Sequence, residues 1–297
     1  MFTIINKQII AAGFKRIDVK AELIARKAKP GHFVMVMADE KSARVALSIV
    51  EADSQKGTIS FVFEETSPST QQLGNLQIGG SIYAILGPLG VTISLDEVRK
   101  GHVVACVGYG IGIAQVLPFC RELRKSESKV IGIAGVKTRK ALLLESQMRL
   151  TCDKLCITTD DGTYEKKGYV TGSLREMLQQ YKIKLVICFA PPIVMQAVCA
   201  VTKEYRIKTF VGLNPLMVDG TGLCGSCRVK VSRKDALACV DGPVFNGHEV
   251  DFEDLEIRTK HCQTEESWYD QTFQASPLSG ESITLKRWLG GLLKNRP

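Results

Sequence analysis

The chain has 297 residues, too many for one small core and suited to two or three domains. With 45% hydrophobic and 24% charged residues it has the composition of a soluble globular protein, and no apolar run approaches the roughly 18 residues of a membrane-spanning helix. The net charge of +8 comes without a nucleic-acid motif or an aromatic-interleaved basic run, so it points to a solvated surface suited to anionic cofactors and an acidic partner, not to nucleic acid.

The opening "MFTIINKQIIAAGFKR" has no basic segment before its apolar residues and no small-residue cleavage site. It does not read as a secretory signal, and a cytoplasmic location is the expectation. Residues 1–98 are β-rich: "HFVMVMA", "ALSIVEA", "TISFVFEE" and "SIYAILG" are short β-branched or aromatic runs separated by Gly, Pro, Ser and Asp. One helical pattern interrupts them at about Ser69–Leu76. A small antiparallel barrel is expected.

Residues 99–210 change rhythm. The strand "HVVACVG" leads into the helix "IGIAQVLPFCRELRK", and the strand "KVIGIAGV" into the helix "RKALLLESQMRL". "KLCITTD", "TGSLREMLQQYK", "KLVICFA" and "PPIVMQAVCAVTKEY" continue the alternation. That order predicts an α/β domain with a doubly wound parallel sheet.

Residues 211–257 are glycine-rich and cysteine-bearing, a composition poor for a hydrophobic core, so a bound inorganic centre is expected to organise them. Residues 258–297 form a polar C-terminal extension. It ends in an apolar stripe of Leu285, Trp288, Leu289, Leu292 and Leu293 at helical spacing, suited to packing on the chain's own surface or to docking.

Several stretches could meet a nucleotide. Gly108, Gly110 and Gly112 lie between a predicted strand and helix, where backbone can approach a pyrophosphate and a helix N-terminus supplies donors. Thr159, Asp160, Asp161 and Gly162 fall at one predicted strand end, and Ala190, Pro191 and Pro192 at another. Taken singly, each of these two reads as a turn. In "RVALS", Arg44 and Ser48 share one face of a strand, where a cation and a hydroxyl could hold a diphosphate. Ser69 and Thr70 stand at a helix start, as ligand groups or as a cap. After the second α/β strand, "GVKTRK" offers no acidic residue for a ribose hydroxyl, while Arg139 or Lys140 could meet a 2′-phosphate.

Ten cysteines in a chain with no secretory signal argue for thiols or metal ligands, not a disulfide framework. Cys106 and Cys188 lie in apolar runs and are expected in the core. The spacing Asp219-x4-Cys224-x2-Cys227-x11-Cys239 is that of a plant-type two-iron cluster with Asp in place of the first Cys. Gly220, Gly222 and Gly225 interleave these positions, as a loop wrapping a cluster requires. A zinc site of Cys224, Cys227 and Cys239 with His248 or His261 is the alternative.

Together these pieces resemble a known family across nearly all of residues 1–255. "GLNPLMVDGTGLCGSCRVKV", "ACVDGPVFNGHEVDF", "PGHFVMV", "RVALS", "GPLG" and "GYGIGIAQVLP" carry the likeness. The chain resembles the small subunit of NADH-dependent reduced ferredoxin:NADP oxidoreductases, also called sulfide dehydrogenase beta subunit. It is similar, more distantly, to the electron-transfer subunit of dihydroorotate dehydrogenase B. All are ferredoxin–NADP reductase-like flavoproteins. The resemblance implies FAD held by Arg44, Val45, Leu47, Ser48, Phe63, Ser69, Thr70 and Gly87. It implies NAD(H), with NADP(H) as the alternative, on Gly108–Gly112, Thr159–Gly162 and Ala190–Pro192. It implies a [2Fe-2S] cluster on Asp219, Cys224, Cys227 and Cys239, and a larger glutamate-synthase-like flavoprotein as heterodimer partner, passing electrons to ferredoxin through the complex. Ala46 and Gln115 stand where the family usually has proline, Tyr109 and Ala190 where it usually has glycine.

Overall fold

The structure, a computed structural model, describes residues 1–260. The apolar stripe from Leu285 and His261 lie outside the described residues. The chain opens with an antiparallel hairpin of β1 (Phe2–Ala11) and β2 (Phe14–Lys20). A short helix α1 (Glu22–Lys27) follows, then β3 (Phe33–Met37), β4 (Val45–Asp53) and β5 (Thr58–Glu64). Helix α2 (Pro68–Asn75) leads to β6 (Ser81–Ile82) and β7 (Ala84–Leu89).

These seven strands form one sheet in the order β6-β1-β2-β5-β4-β3-β7, antiparallel at every pairing. Its two edge strands are joined in sequence by Tyr83 alone, so the sheet has curled until its edges meet. This is the expected near-closed barrel. Ile17, Val34, Leu47, Phe61 and Phe63 fill it.

The second sheet begins with β8 (Val103–Tyr109), helix α3 (Gly112–Lys125) and β9 (Lys129–Val136). Helix α4 (Glu145–Thr151), β10 (Lys154–Thr159), the two-residue β11 (Lys166–Lys167) and α5 (Val170–Gln180) follow. Then come β12 (Ile183–Phe189), α6 (Pro192–Glu204) and β13 (Lys208–Gly212). The strand order β11-β10-β9-β8-β12-β13 is parallel throughout. The chain runs outward from β8 to β11 and returns to the other side of β8 as β12. The switch point of this doubly wound sheet therefore lies between β8 and β12, the place where such folds bind ligands.

One predicted helix is corrected. Arg139–Leu150 is not continuous, because Leu144 adopts a left-handed φ of 53° between a 3₁₀ turn (Arg139–Ala141) and α4. Leu143 is fully buried just before that break. The leucines form a plug, not a helical stripe.

Beyond β13 the chain makes a hairpin of β14 (Arg228–Val231) and β15 (Lys234–Leu237), turned by Ser232 and Arg233, both at positive φ. Then β16 (Val244–Asn246) adds an antiparallel edge to β13. The expectation that this segment lacks a hydrophobic core is also corrected. Met217, Cys227, Val229, Ala238, Cys239 and Phe245 share a core cluster with the parallel sheet. No described helix is long and apolar enough to cross a membrane.

Candidate functional sites

The carboxyl ends of the parallel strands gather three of the predicted stretches. The Gly108–Gly112 loop follows β8, Thr159–Gly162 follows β10, and Ala190–Pro192 links β12 to α6. The three glycines have different reasons to be glycine. A Cβ on Gly112 would fall onto the Phe189 carbonyl oxygen, and one on Gly108 would press on the Ile113 backbone. These two let α3 sit against β8 and β12. Gly110, at a φ of 57°, has open space where a Cβ would be, so its backbone is approachable from outside.

Thr159 is fully buried and ties the turn to itself. Its hydroxyl donates to the Tyr164 carbonyl at 2.8 Å and accepts the Tyr164 N–H at 3.1 Å. Asp161 accepts from the Thr163 backbone N–H and hydroxyl, which holds its carboxyl below the ordinary value. Asp160 instead accepts the Tyr109 hydroxyl at 2.6 Å. Burial, then that bond, push the Tyr109 phenol well above its usual range. Arg139 lies over the Tyr164 ring, 4.7 Å from its centroid, and Tyr164 donates to Glu145. Sequence spacing gave no hint of Tyr164, Glu145 or the Tyr109 bond.

On the barrel, β4 alternates. Leu47 and Ile49 point into the core, while Ala46 and Ser48 face a cleft shared with Gln115, Phe189, Leu213 and Met217. Gln115 donates from Nε2 to the Ser48 hydroxyl oxygen at 3.0 Å. Arg44 precedes β4, is exposed, and has no ion pair or hydrogen bond among the described residues. Val45 packs against the barrel core from its edge. The side chains of Leu47 and Phe63 point away from the cleft, which leaves their backbone as the part that could face a cofactor. Both belong to the barrel core, Phe63 at 1% exposure. Ser67, not Ser69 or Thr70, caps α2, and the Thr70 hydroxyl completes a capping box with it. Ser69 is half-buried in the first turn. Gly87 lies within β7, where a Cβ would meet Val34 on the neighbouring strand β3.

The cysteine loop leans on the barrel. Gly220, at positive φ, is buried against β3, and a Cβ there would sit 2.5 Å from Met35 Cγ. Gly222 and Gly225 also have positive φ. The Cys227 and Cys239 sulfurs are 3.2 Å apart and buried, at 1% and 3% exposure. Burial and the neighbouring Cys227 thiol push the Cys239 thiol up to about 12. Cys224 is exposed, with its sulfur 3.1 Å from the Ser226 hydroxyl, and that contact lowers its pKa. Asp219 accepts the backbone N–H groups of Thr221 at 2.5 Å and Cys224 at 2.9 Å, which hold its carboxyl low. Two of the four donors thus touch, while Asp219 and Cys224 turn toward their own loop. Among the described residues, no three such side chains already surround one point. The donor set fits iron all the same: three thiols and an anionic carboxylate on a loop with three left-handed glycines. His248 does not belong with them, because its Nε2 is 3.0 Å from the Thr202 hydroxyl on α6.

A curled antiparallel barrel beside a doubly wound sheet, with a cysteine loop leaning on the barrel, is the architecture of ferredoxin–NADP reductase-like redox proteins. A ferredoxin–NADP+ reductase from Plasmodium falciparum shares that fold, with a TM-score of 0.55 and 15% identity over 70% of this chain and 94% of its own. The solved structure of an NADH-dependent reduced ferredoxin-NADP oxidoreductase, described in connection with flavin-based electron bifurcation, matches with a TM-score of 0.85. It is 29% identical and covers 92% of this chain and 98% of its own. The family of iron–sulfur cluster binding domains of dihydroorotate dehydrogenase B matches residues 214–251.

Among curated relatives, a dihydroorotate dehydrogenase B electron transfer subunit homolog of Thermotoga maritima is 31% identical over 89% of this chain and 92% of its own. An uncharacterised protein of Clostridium beijerinckii, encoded beside adh, is 36% identical over 90% and 92%. The chain belongs to the family of dihydroorotate dehydrogenase B-type electron-transfer subunits, oxidoreductase subunits with an iron–sulfur binding domain.

Proposed function

We propose that this subunit takes hydride from NAD(H) onto FAD and passes the electrons singly through a [2Fe-2S] cluster to a larger flavoprotein. The observation that carries the reading is the seating of Gly220, next to Asp219, on Met35 of the barrel. It sets a loop with cluster-type donors against the domain with the flavin-type motif. A bound flavin supplies the conversion between two-electron and one-electron chemistry. Arg44, Ser48 and Gly87 of β7 would hold FAD on the barrel. Gly110 and the ends of β10 and β12 would take the dinucleotide, and its nicotinamide would enter the cleft between Ser48 and Phe189. Asp219, Cys224, Cys227 and Cys239 would ligate the cluster.

The relatives' names support two kinds of complex, an NADH-dependent reduced ferredoxin-NADP oxidoreductase or a dihydroorotate dehydrogenase B, and for the first the family resemblance implies a glutamate-synthase-like flavoprotein partner. Asp219 at the first ligand position favours the former and its bifurcating chemistry. Leu223, 90% exposed beside Cys224, with Val218 and Val240, gives the loop an apolar rim suited to such a partner.

The deciding measurement is iron, acid-labile sulfide and flavin per chain. One FAD and two irons with two sulfides are expected. Zinc without sulfide, or absence of flavin, would sink the reading. Flavin reduction by NADH against NADPH tests the nucleotide. NADH is expected to be faster, because Arg139 is stacked on Tyr164 and Asp160 sets a carboxylate just after β10, while Glu145 is already paired with Arg149.

A further inference from the structure

The Ser48–Gln115 hydrogen bond joins the barrel to the nucleotide sheet, and the mechanism above gives Gln115 no task. Gln115 lies in the first turn of α3, three residues after Gly112, and reaches across to β4. The rest of the cleft is mostly apolar, lined by Phe33, Ala46, Phe189, Leu213, Met217 and Pro243, with Asn214 as its one other polar side chain, exposed to solvent. Two polar side chains in such a place are bonded for a reason, because an unpaired one there is costly.

The polarity of the bond matters. Gln115 donates its amide N–H, so the Ser48 oxygen acts as acceptor and its own O–H proton is directed elsewhere. A hydroxyl that accepts one hydrogen bond becomes a better donor in the next. Both side chains are only half-buried, so Ser48 can present that proton to a group entering the cleft.

We propose that Gln115 is a positioning residue for the flavin: it holds the Ser48 hydroxyl as a donor toward an acceptor oxygen of the flavin nucleotide. This rests on the FAD reading above. Gln115 need not touch the flavin itself. It acts through Ser48, from the same helical turn that the pyridine-nucleotide loop leads into.

The test uses full-length protein stripped of flavin and titrated with FAD, following quenching of FAD fluorescence, with a thermal melt of each variant. Gln115→Met keeps the side chain's size but has no amide. It should weaken FAD binding about tenfold, the worth of one lost hydrogen bond. Ser48→Ala should do the same, and the double variant should lose no more than either single. Gln115→Glu can only accept, so it draws the Ser48 proton onto itself and should bind FAD more weakly than Gln115→Met. Binding by Gln115→Met within about twofold of wild type would overturn the inference, as would independent losses that multiply in the double variant. Gln115→Glu binding as tightly as wild type would overturn it too. Wild-type protein that does not quench FAD removes the flavin reading and this inference together. Tight wild-type binding with an indifferent Gln115→Met removes the inference alone.

Discussion

Tyr109 donates its hydroxyl proton to Asp160 across 2.6 Å, and its ring reaches there over Gly135 of the intervening strand. A Cβ on Gly135 would lie 2.9 Å from the Tyr109 ring. One glycine on β9 thus permits a bond between the ends of β8 and β10. The other Asp160 oxygen is buried without a partner among the described residues, so Tyr109 carries most of that carboxylate's satisfaction. Tyr109→Phe should therefore destabilise the fold by about 1–3 kcal/mol, the range for stranding a buried polar group. Gly135→Val should do at least as much by displacing the ring. Urea unfolding checks both, and an unmoved midpoint in Tyr109→Phe would show that Asp160 is held without it.

The glycine loop separates packing from binding. Gly112→Ala places a methyl on the Phe189 carbonyl and should prevent stable folding of the parallel sheet. Gly110→Ala meets no atom and pays only the left-handed backbone, about 1 kcal/mol. It should fold, yet bind the dinucleotide more weakly, because the added methyl stands in the open space that the backbone offers a pyrophosphate. Thermal melts and equilibrium binding of NAD+ distinguish the two. Equal effects of both variants on stability would refute this division.

How much of this was readable depends on where each side chain points. The strands β3 and β5 announce themselves as largely apolar runs because most of their residues are buried. The β1–β2 hairpin does not, since Ile5 and Ile9 face solvent and blur its alternation. Arg139–Leu150 has helical composition, but Leu143 is spent on the core and Leu144 on a left-handed turn. In "RVALS" the period of two correctly separates Ser48 from Leu47, and the same rule would have set Phe63 beside Phe61 in the barrel. The spacing of Asp219 and the three cysteines is local, so a candidate ligand set could be proposed from sequence alone. The bonds Ser48–Gln115 and Tyr109–Asp160 span 67 and 51 residues, and nothing in one sequence marks such pairs.

The barrel carries an acid-sensitive network. Asp18 is partly buried, which by itself raises its pKa, but hydrogen bonds from Ser60, Asn6 and Arg16 outweigh burial and hold it below the ordinary value. Arg16 also reaches Glu51, which pairs across the domain boundary with Arg121 on α3. A carboxylate with a depressed folded pKa stabilises fully above its unfolded pKa of about 4 and loses that contribution as pH falls through the folded value. Asp18→Asn should therefore be less stable than wild type at neutral pH, with the gap narrowing as the pH drops below about 4. Stability curves at neutral and acid pH measure this, and a gap that stays constant would mean the Asp18 charge is not what the network uses.

Asp219 has two tasks that one substitution can pull apart. Its carboxylate accepts the Thr221 and Cys224 backbone N–H groups, so it shapes the loop before any metal arrives. As the proposed first ligand it would also set the electron density at the cluster. A thiolate releases more electron density to iron than a carboxylate and is the weaker hydrogen-bond acceptor. Asp219→Cys should therefore retain the cluster, since it restores the four-cysteine spacing, while lowering its reduction potential. In the cluster-free protein the same variant should loosen the loop, seen as faster hydrogen exchange at the Thr221 and Cys224 amides. Redox titration followed by electron paramagnetic resonance reads the potential. A cluster-replete variant with an unchanged or raised potential would mean that Asp219 shapes the loop without ligating the metal.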